Sequence, residues 1–133
     1  MNRYKFFILS LTLICVASLS AKDYYATDFG VIADGKTLNT NSIQKLGGGR
    51  LVFTAGNYLT GSIYLKSNVT LHLEEGATLL GSTNPWDYEK DSYIRWMSMI
   101  FAVKQQNIGI TGKGTINGRG FQTANNMVDY IQR

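Results

Sequence analysis

RLVFTAGNYLTGSIYLKSNVTLHLEEGATLLGS, residues Arg50 to Ser82, is the stretch whose reading decides the fold. Apolar residues recur at alternate positions: Leu51 and Phe53, Ile63 and Leu65, then Val69, Leu71 and Leu73, then Ala77 and Leu79. Side chains two apart share one face of a strand, so each run predicts a short strand with one buried face. Turn formers separate the runs: Thr54-Ala55-Gly56-Asn57, Lys66-Ser67-Asn68 and Glu74-Glu75-Gly76. Four short strands at this spacing, with no helical periodicity between them, predict an all-β stack.

Downstream the pattern returns. Asn68-Val69-x-Leu71, Gly76 and Thr78-Leu79-x-Gly81 are matched by Asn107-Ile108-x-Ile110, Gly114 and Thr115-Ile116-x-Gly118. The offset is 39 residues at the start and 37 at the end. A strand–turn–strand unit that repeats is the mark of a solenoid, and with the alternation from Leu51 onward it predicts a parallel β-helix. The loop Thr83–Ser98 lies inside the offset, so the underlying coil is shorter than the offset. Upstream, Thr40-Asn41-Ser42 can cap a helix, with Gln44 three residues after Asn41 in a capping-box arrangement. Ile43 and Leu46 share a helical face before Gly47-Gly48-Gly49 ends the segment. A helix over Asn41–Leu46 is under two turns and is stable only when packed, so its expected place is over the first end of the strand stack.

The chain has 133 residues, 14 of them Gly, with one Cys and one His. Arg3 and Lys5 precede an apolar run from Phe6 to Leu19, and Ser18-Leu19-Ser20 has the small-x-small form of a cleavage site. Residues 1–20 therefore predict a secretory signal, too short for a membrane span, and a secreted or periplasmic product with no membrane association after cleavage. The remainder, 21–133, reads as one domain segment. Cys15 is lost with the signal, so no disulfide or thiolate metal site is expected. Arg3 and Lys5 account for two of the four net positive charges, and the +2 that remains is too small and scattered to indicate nucleic-acid binding.

Several motifs carry a family resemblance. They include Asp28-Phe29-Gly30, Asp34-Gly35-Lys36-Thr37, Gly47-Gly48-Gly49-Arg50 and Ala55-Gly56-Asn57-Tyr58-Leu59-Thr60-Gly61. Leu65-Lys66-Ser67-Asn68-Val69-Thr70-Leu71-His72-Leu73-Glu74-Glu75-Gly76-Ala77 and Ile110-Thr111-Gly112-Lys113-Gly114-Thr115-Ile116-Asn117-Gly118 complete the set. Together they resemble the N-terminal pattern of polygalacturonase-like enzymes of glycoside hydrolase family 28. The resemblance implies a right-handed parallel β-helix with N-terminal coils and a short capping helix, acting on pectin or polygalacturonate as an acidic polysaccharide substrate. The chain departs from the pattern in a shorter capping helix and in Thr54, where proline is common. The family's Asn-Thr-Asp, Asp-Asp, Gly-His-Gly and Arg-Ile-Lys motifs do not occur in residues 1–133; Asn39-Thr40-Asn41 ends in the wrong residue for the first of them.

The inverting chemistry implied by the resemblance needs one carboxylic acid to protonate the leaving oxygen and one carboxylate to activate water, about 6.5–9.5 Å apart. None of the nine acidic residues reads as such a pair. Glu74 and Glu75 are adjacent at a strand end, where alternation points them to opposite faces. Asp28 and Asp34 read as turn and cap residues. Asp87, Glu89 and Asp91 stand at spacing two beside aromatics and, in an extended loop, could share a face for a cation or a sugar, although charged loops are ordinarily solvated surface. His72 alternates with the inward set and is expected to face outward with Thr70; no triad partner accompanies it. The glycines from Gly112 to Gly120 lack the strand–loop–helix frame of a phosphate loop and predict tight turns.

No catalytic residue, metal site or cofactor is therefore expected. The functional surface expected is the loop Thr83–Ser98. Its Trp86, Tyr88 and Trp96 offer rings for stacking on sugars, and Arg95 can pair with a uronate carboxylate. These four are the candidate substrate-binding residues, against the reading that the aromatics simply cover the solenoid. The expectation is the N-terminal portion of a pectin-degrading glycosidase, cut before its catalytic coils and inactive alone. A stand-alone carbohydrate-binding solenoid, a non-functional truncated product and a calcium-dependent eliminase remain open beside it.

Overall fold

The computed structural model describes residues 22–90 and 98–132. Nine strands run in the order β1 (Asp23–Tyr25), β2 (Gly49–Phe53), β3 (Gly56–Thr60), β4 (Ile63–Tyr64), β5 (Val69–Leu73), β6 (Ala77–Gly81), β7 (Ile100–Phe101), β8 (Gly109–Gly112) and β9 (Thr115–Asn117). Two α-helices accompany them, α1 (Thr40–Ile43) and α2 (Gly120–Ile131). The strands form three sheets, β1-β2-β5-β8, β3-β6-β9 and β4-β7, and every pairing is parallel. Successive strands of the chain thus fall in different sheets, and each sheet receives one strand per coil. That is a right-handed parallel β-helix.

The register reproduces the sequence repeat. Leu71 pairs with Ile110 and Leu79 with Ile116, offsets of 39 and 37 residues. One coil earlier, Leu51 pairs with Leu71 and Tyr58 with Leu79, offsets of 20 and 21, which is the coil length without the loop. Side chains in the same column stack inward. Leu51, Leu71, Tyr58 and Leu79 are at most 1% exposed, whereas Ile110 and Ile116 in the last described coil are 46% and 44% exposed. Burial in a solenoid comes from the neighbouring coil on each side, so a column is dry only where both neighbours are present.

Five strands, not four, occupy Arg50–Ser82. The additional one is β3, whose first two residues had read as a turn. Its inward side chains are Tyr58 and Thr60, both fully buried, so the alternation is real but not aliphatic. Tyr58 meets Phe53 edge-on at 5.1 Å, and its hydroxyl donates to the Thr54 carbonyl at 2.9 Å. Between sheets the chain turns at Asn68 and Asn107, both left-handed with φ of 64° and 54°. Asparagine tolerates that conformation better than other residues with a Cβ. The two side chains stack, Asn107 Nδ2 donating to Asn68 Oδ1 at 3.0 Å.

The first coil is covered on all three sides. β1 pairs with β2, the segment from Asp34 bonds to β3 through Gly35 N to Asn57 O and Asn39 N to Leu59 O, and α1 lies beside β4. Ile43 and Leu46 are buried as the shared helical face requires. The helix itself is shorter than Asn41–Leu46, and the Asn41/Gln44 capping box does not form: Asn39 is the N-cap and makes no side-chain cap bond. Both amides have stronger employment. Asn39, 1% exposed, accepts from Ile32 N at 2.8 Å and donates to Ile32 O at 2.9 Å. Gln44, with its amide oriented by the hydrogen-bond network, accepts from Tyr64 N at 2.6 Å and donates to Tyr64 O at 3.1 Å, standing in for a paired strand on the open edge of β4. Asp34 is the turn residue its sequence suggested: its carboxylate accepts from Lys36 N, Thr37 N and the Thr37 hydroxyl, which lowers its pKa to about 2.

The other end holds an element that the sequence reading did not anticipate. α2 follows β9 for 12 residues. Phe121, Ala124, Val128 and Ile131 recur at helical spacing, but this apolar stripe faces out, with Phe121 85% and Ile131 72% exposed. It is the polar face that meets the protein: the Thr123 hydroxyl donates to Ser82 O and Asn126 Nδ2 to Thr83 O. α2 therefore lies along the flank, leaving Ile110 and Ile116 exposed. No helix among the described residues is long and apolar enough to cross a membrane. The predicted signal, residues 1–20, lies outside the described residues.

Candidate functional site

The loop inserted between β6 and β7 is the one part of the described coils that departs from the 20-residue period, and it is held in a defined shape. Asn84 starts a 3-10 turn over Pro85–Asp87, its side chain accepting from Trp86 N at 3.1 Å, and proline occupies the first position, where its fixed φ suits the turn. The Ser82 hydroxyl donates to Asp87, whose other oxygen accepts from Asn84. Ser62 on the coil below fixes both ends of the insertion: its hydroxyl donates to Ser98 O and accepts from Glu89 N, each at 3.0 Å. The Asp87 backbone sits so close over Gly61 that any Cβ there would overlap its carbonyl.

This geometry sorts the expected binding residues. Trp86 projects, 55% exposed, and carries a cation on its face: Lys90 Nζ lies 3.5 Å from the ring centroid. Tyr130 of α2 meets the indole edge-on at 5.6 Å. Tyr88 does not offer a platform. Its hydroxyl donates to Ser82 O at 2.7 Å and its half-buried ring backs Gly81, which is also why burial raises its pKa. It positions the loop instead. Arg95 and Trp96, with Tyr93 and Asp91, lie outside the described residues.

The carboxylates divide in the same way. Asp23 is held by both ends of the Arg50 guanidinium at 2.7 Å, and that hydrogen-bonded pairing lowers its pKa. Asp87 is committed to Ser82 and Asn84 within the 3-10 turn, so the extended arrangement expected for Asp87 and Glu89 is replaced by a compact one. Glu74 and Glu75 are exposed at the β5–β6 turn. Among the described residues no three of His, Cys, Asp and Glu gather as a metal site. His72 faces outward and its Nδ1 lies 2.8 Å from the Thr111 hydroxyl on the next coil. The glycine-rich segment is a strand turn: Gly112, at φ 102°, joins β8 to β9 against the Leu73 backbone, where no side chain fits.

Two clefts border the loop. On one side Leu38, Thr40, Asn41 and Ser62 face Trp86 and Glu89 across about 390 Å³. On the other, a cleft of about 360 Å³ opens between the Pro85 turn and α2. Sequence reasoning missed this second cleft because its walls are about 40 residues apart and one of them is the unanticipated helix. The only signal was the helical spacing from Phe121 to Ile131.

No family model matches the chain. It is 39% identical over 126 residues to the exo-poly-α-D-galacturonosidase of Dickeya chrysanthemi, covering 79% of this chain and 21% of that one. A solved Parabacteroides merdae protein assigned as a glycosyl hydrolase superposes with a TM-score of 0.76 at 46% identity, covering 84% of this chain and 50% of that one. The family 28 exopolygalacturonase of Yersinia enterocolitica superposes with a TM-score of 0.66 at 41% identity, covering 74% of this chain and 21% of that one. The chain thus spans about a fifth of the length of the two galacturonan-degrading relatives and half of the third.

Proposed function

We propose, from the premise that this chain is a partial polygalacturonase-like protein of the glycoside hydrolase family 28 kind, that it forms the first coils of an exported pectin-hydrolysing β-helix. What supports the reading is the combination of a coil register that runs through the whole described chain with 39% and 41% identity to galacturonan-degrading enzymes. In this reading residues 1–20 direct export, and hydrolysis proceeds with inversion between two carboxylates that residues 1–133 do not carry. The flank loop contributes to substrate binding through Trp86, Arg95 and Trp96, with Tyr88 positioning them. Lys90, held over the Trp86 ring, adds a positive charge where a uronate would approach.

The Trp86–Lys90 pair also favours a second reading, a carbohydrate-binding solenoid that acts without hydrolysis. One experiment addresses both. The purified 133-residue chain is incubated with polygalacturonate, and reducing ends and retention on the immobilised polymer are measured together. The first reading predicts no release of reducing ends above buffer, with retention reduced by Trp86→Ala. Clear hydrolysis would contradict the missing carboxylate pair. Retention unchanged by Trp86→Ala would remove the loop from the binding account.

A further inference from the structure

We propose that the cleft between the Pro85 turn and α2 binds a neutral sugar residue, and that it discriminates against uronates. This site is separate from the Trp86–Lys90 surface and does not depend on hydrolysis. Its walls are apolar where a sugar presents C–H groups: the Pro85 ring on one side and the Tyr130 ring on the other. Tyr130 is itself fixed by its edge-on contact with Trp86. Aromatic walls with polar edges suit a pyranose, whose faces are apolar and whose rim carries hydroxyls. The volume, about 360 Å³, lies at the low end of small-ligand sites and fits a short saccharide rather than a wide polymer groove.

The polar lining selects the ligand class. Asp129 is the only charged residue lining the cleft, and its carboxylate makes no hydrogen bond among the described residues. Asn126 has its NH₂ committed to Thr83 O at 2.8 Å, which leaves its Oδ1 as an acceptor. Asn84 likewise has its oxygen taken by Trp86 N and its NH₂ directed at Asp87. The capacity that remains is therefore mostly acceptor capacity, and it needs a ligand rich in donors. Neutral sugar hydroxyls supply donors. A uronate carboxylate supplies acceptors only and brings a like charge toward Asp129.

The test compares two probes that differ only at C6, methyl α-galactopyranoside and methyl α-galacturonopyranoside. Each is titrated into the 133-residue chain at neutral pH and followed by NMR at the Trp86 indole and the Asn126 and Tyr130 amides. The neutral glycoside is expected to shift these signals saturably, with the uronoside about tenfold weaker. Asp129→Asn is expected to bring the two within about threefold of each other by raising uronoside affinity, because it removes the like charge and adds a donor. Tyr130→Ala is expected to weaken the neutral glycoside about tenfold, since a stacking wall is lost. Both variants change exposed side chains, and their amide spectra verify folding. Uronoside binding equal to or tighter than the neutral probe, unchanged discrimination in Asp129→Asn, or no saturable shift at these signals would each overturn the proposal. Hydrolysis enters none of these readouts, so the outcome is distinct from that of the polygalacturonate experiment.

Discussion

Leu71→Ala lowers the unfolding free energy by about 3–4 kcal/mol, while Ile110→Ala costs under about 1 kcal/mol. The two residues are direct register partners in one inward column, so the difference isolates the effect of stacking position. Leu71 is 1% exposed, between Leu51 on one coil and Ile110 on the next. Removing its side chain loses the transfer free energy and leaves a cavity that flanking strands, fixed by parallel ladders on both sides, cannot close. Ile110 is 46% exposed, so truncation there forfeits part of a contact and leaves no enclosed void. Urea unfolding followed by circular dichroism gives both values. Equal losses would show that the column is not stacked as described.

Gly61→Ala is expected to cost about 1–3 kcal/mol and to dismantle the flank loop, whereas Gly47→Ala leaves both stability and loop intact. At Gly61 an added Cβ would lie 2.6 Å from the Asp87 carbonyl carbon and closer still to its oxygen. The obstacle is backbone, so no rotamer change relieves it. The loop must lift, breaking the Ser82–Asp87 bond and the Glu89 N bond to Ser62. At Gly47 a Cβ meets nothing within 4 Å. The readout is the Trp86 indole resonance together with the urea midpoint. A Gly61→Ala protein with an unshifted indole and unchanged midpoint would remove the close approach on which the loop's geometry rests.

The fold was legible because its physics is periodic. Offsets of 39 and 37 residues in the sequence are the strand registers, since stacked columns need like side chains at like positions. The strand at Gly56–Thr60 was hidden because its buried positions are a tyrosine and a threonine, whose polar atoms are satisfied locally by Thr54 and Thr40. The capping box at Asn41 and Gln44 was a sound local pattern that lost to longer-range demand: Gln44 is worth more closing the edge of β4 than closing a one-turn helix. α2 was visible in its spacing but misleading in its polarity, because Thr123 and Asn126, not the apolar stripe, bind the body of the protein.

The candidate site was less legible for the same reason. Trp86 was identifiable as an exposed aromatic in a long insertion, and it does project. Tyr88 looked equivalent in sequence, yet two residues further along the same loop its hydroxyl is claimed by Ser82. Asp129 and Tyr130 acquire meaning only when α2 brings them to Pro85, more than 40 residues earlier in the chain. Local patterns carry no record of that meeting.

The claim under all of this is that the chain winds in parallel coils whose repeat sets the pairing. Cross-strand nuclear Overhauser contacts between backbone protons test it most directly. The account predicts parallel-ladder contacts linking Leu71 to Ile110 and Leu79 to Ile116. Close α-proton pairs of the antiparallel kind, or helical contacts through residues 68–79, would contradict it.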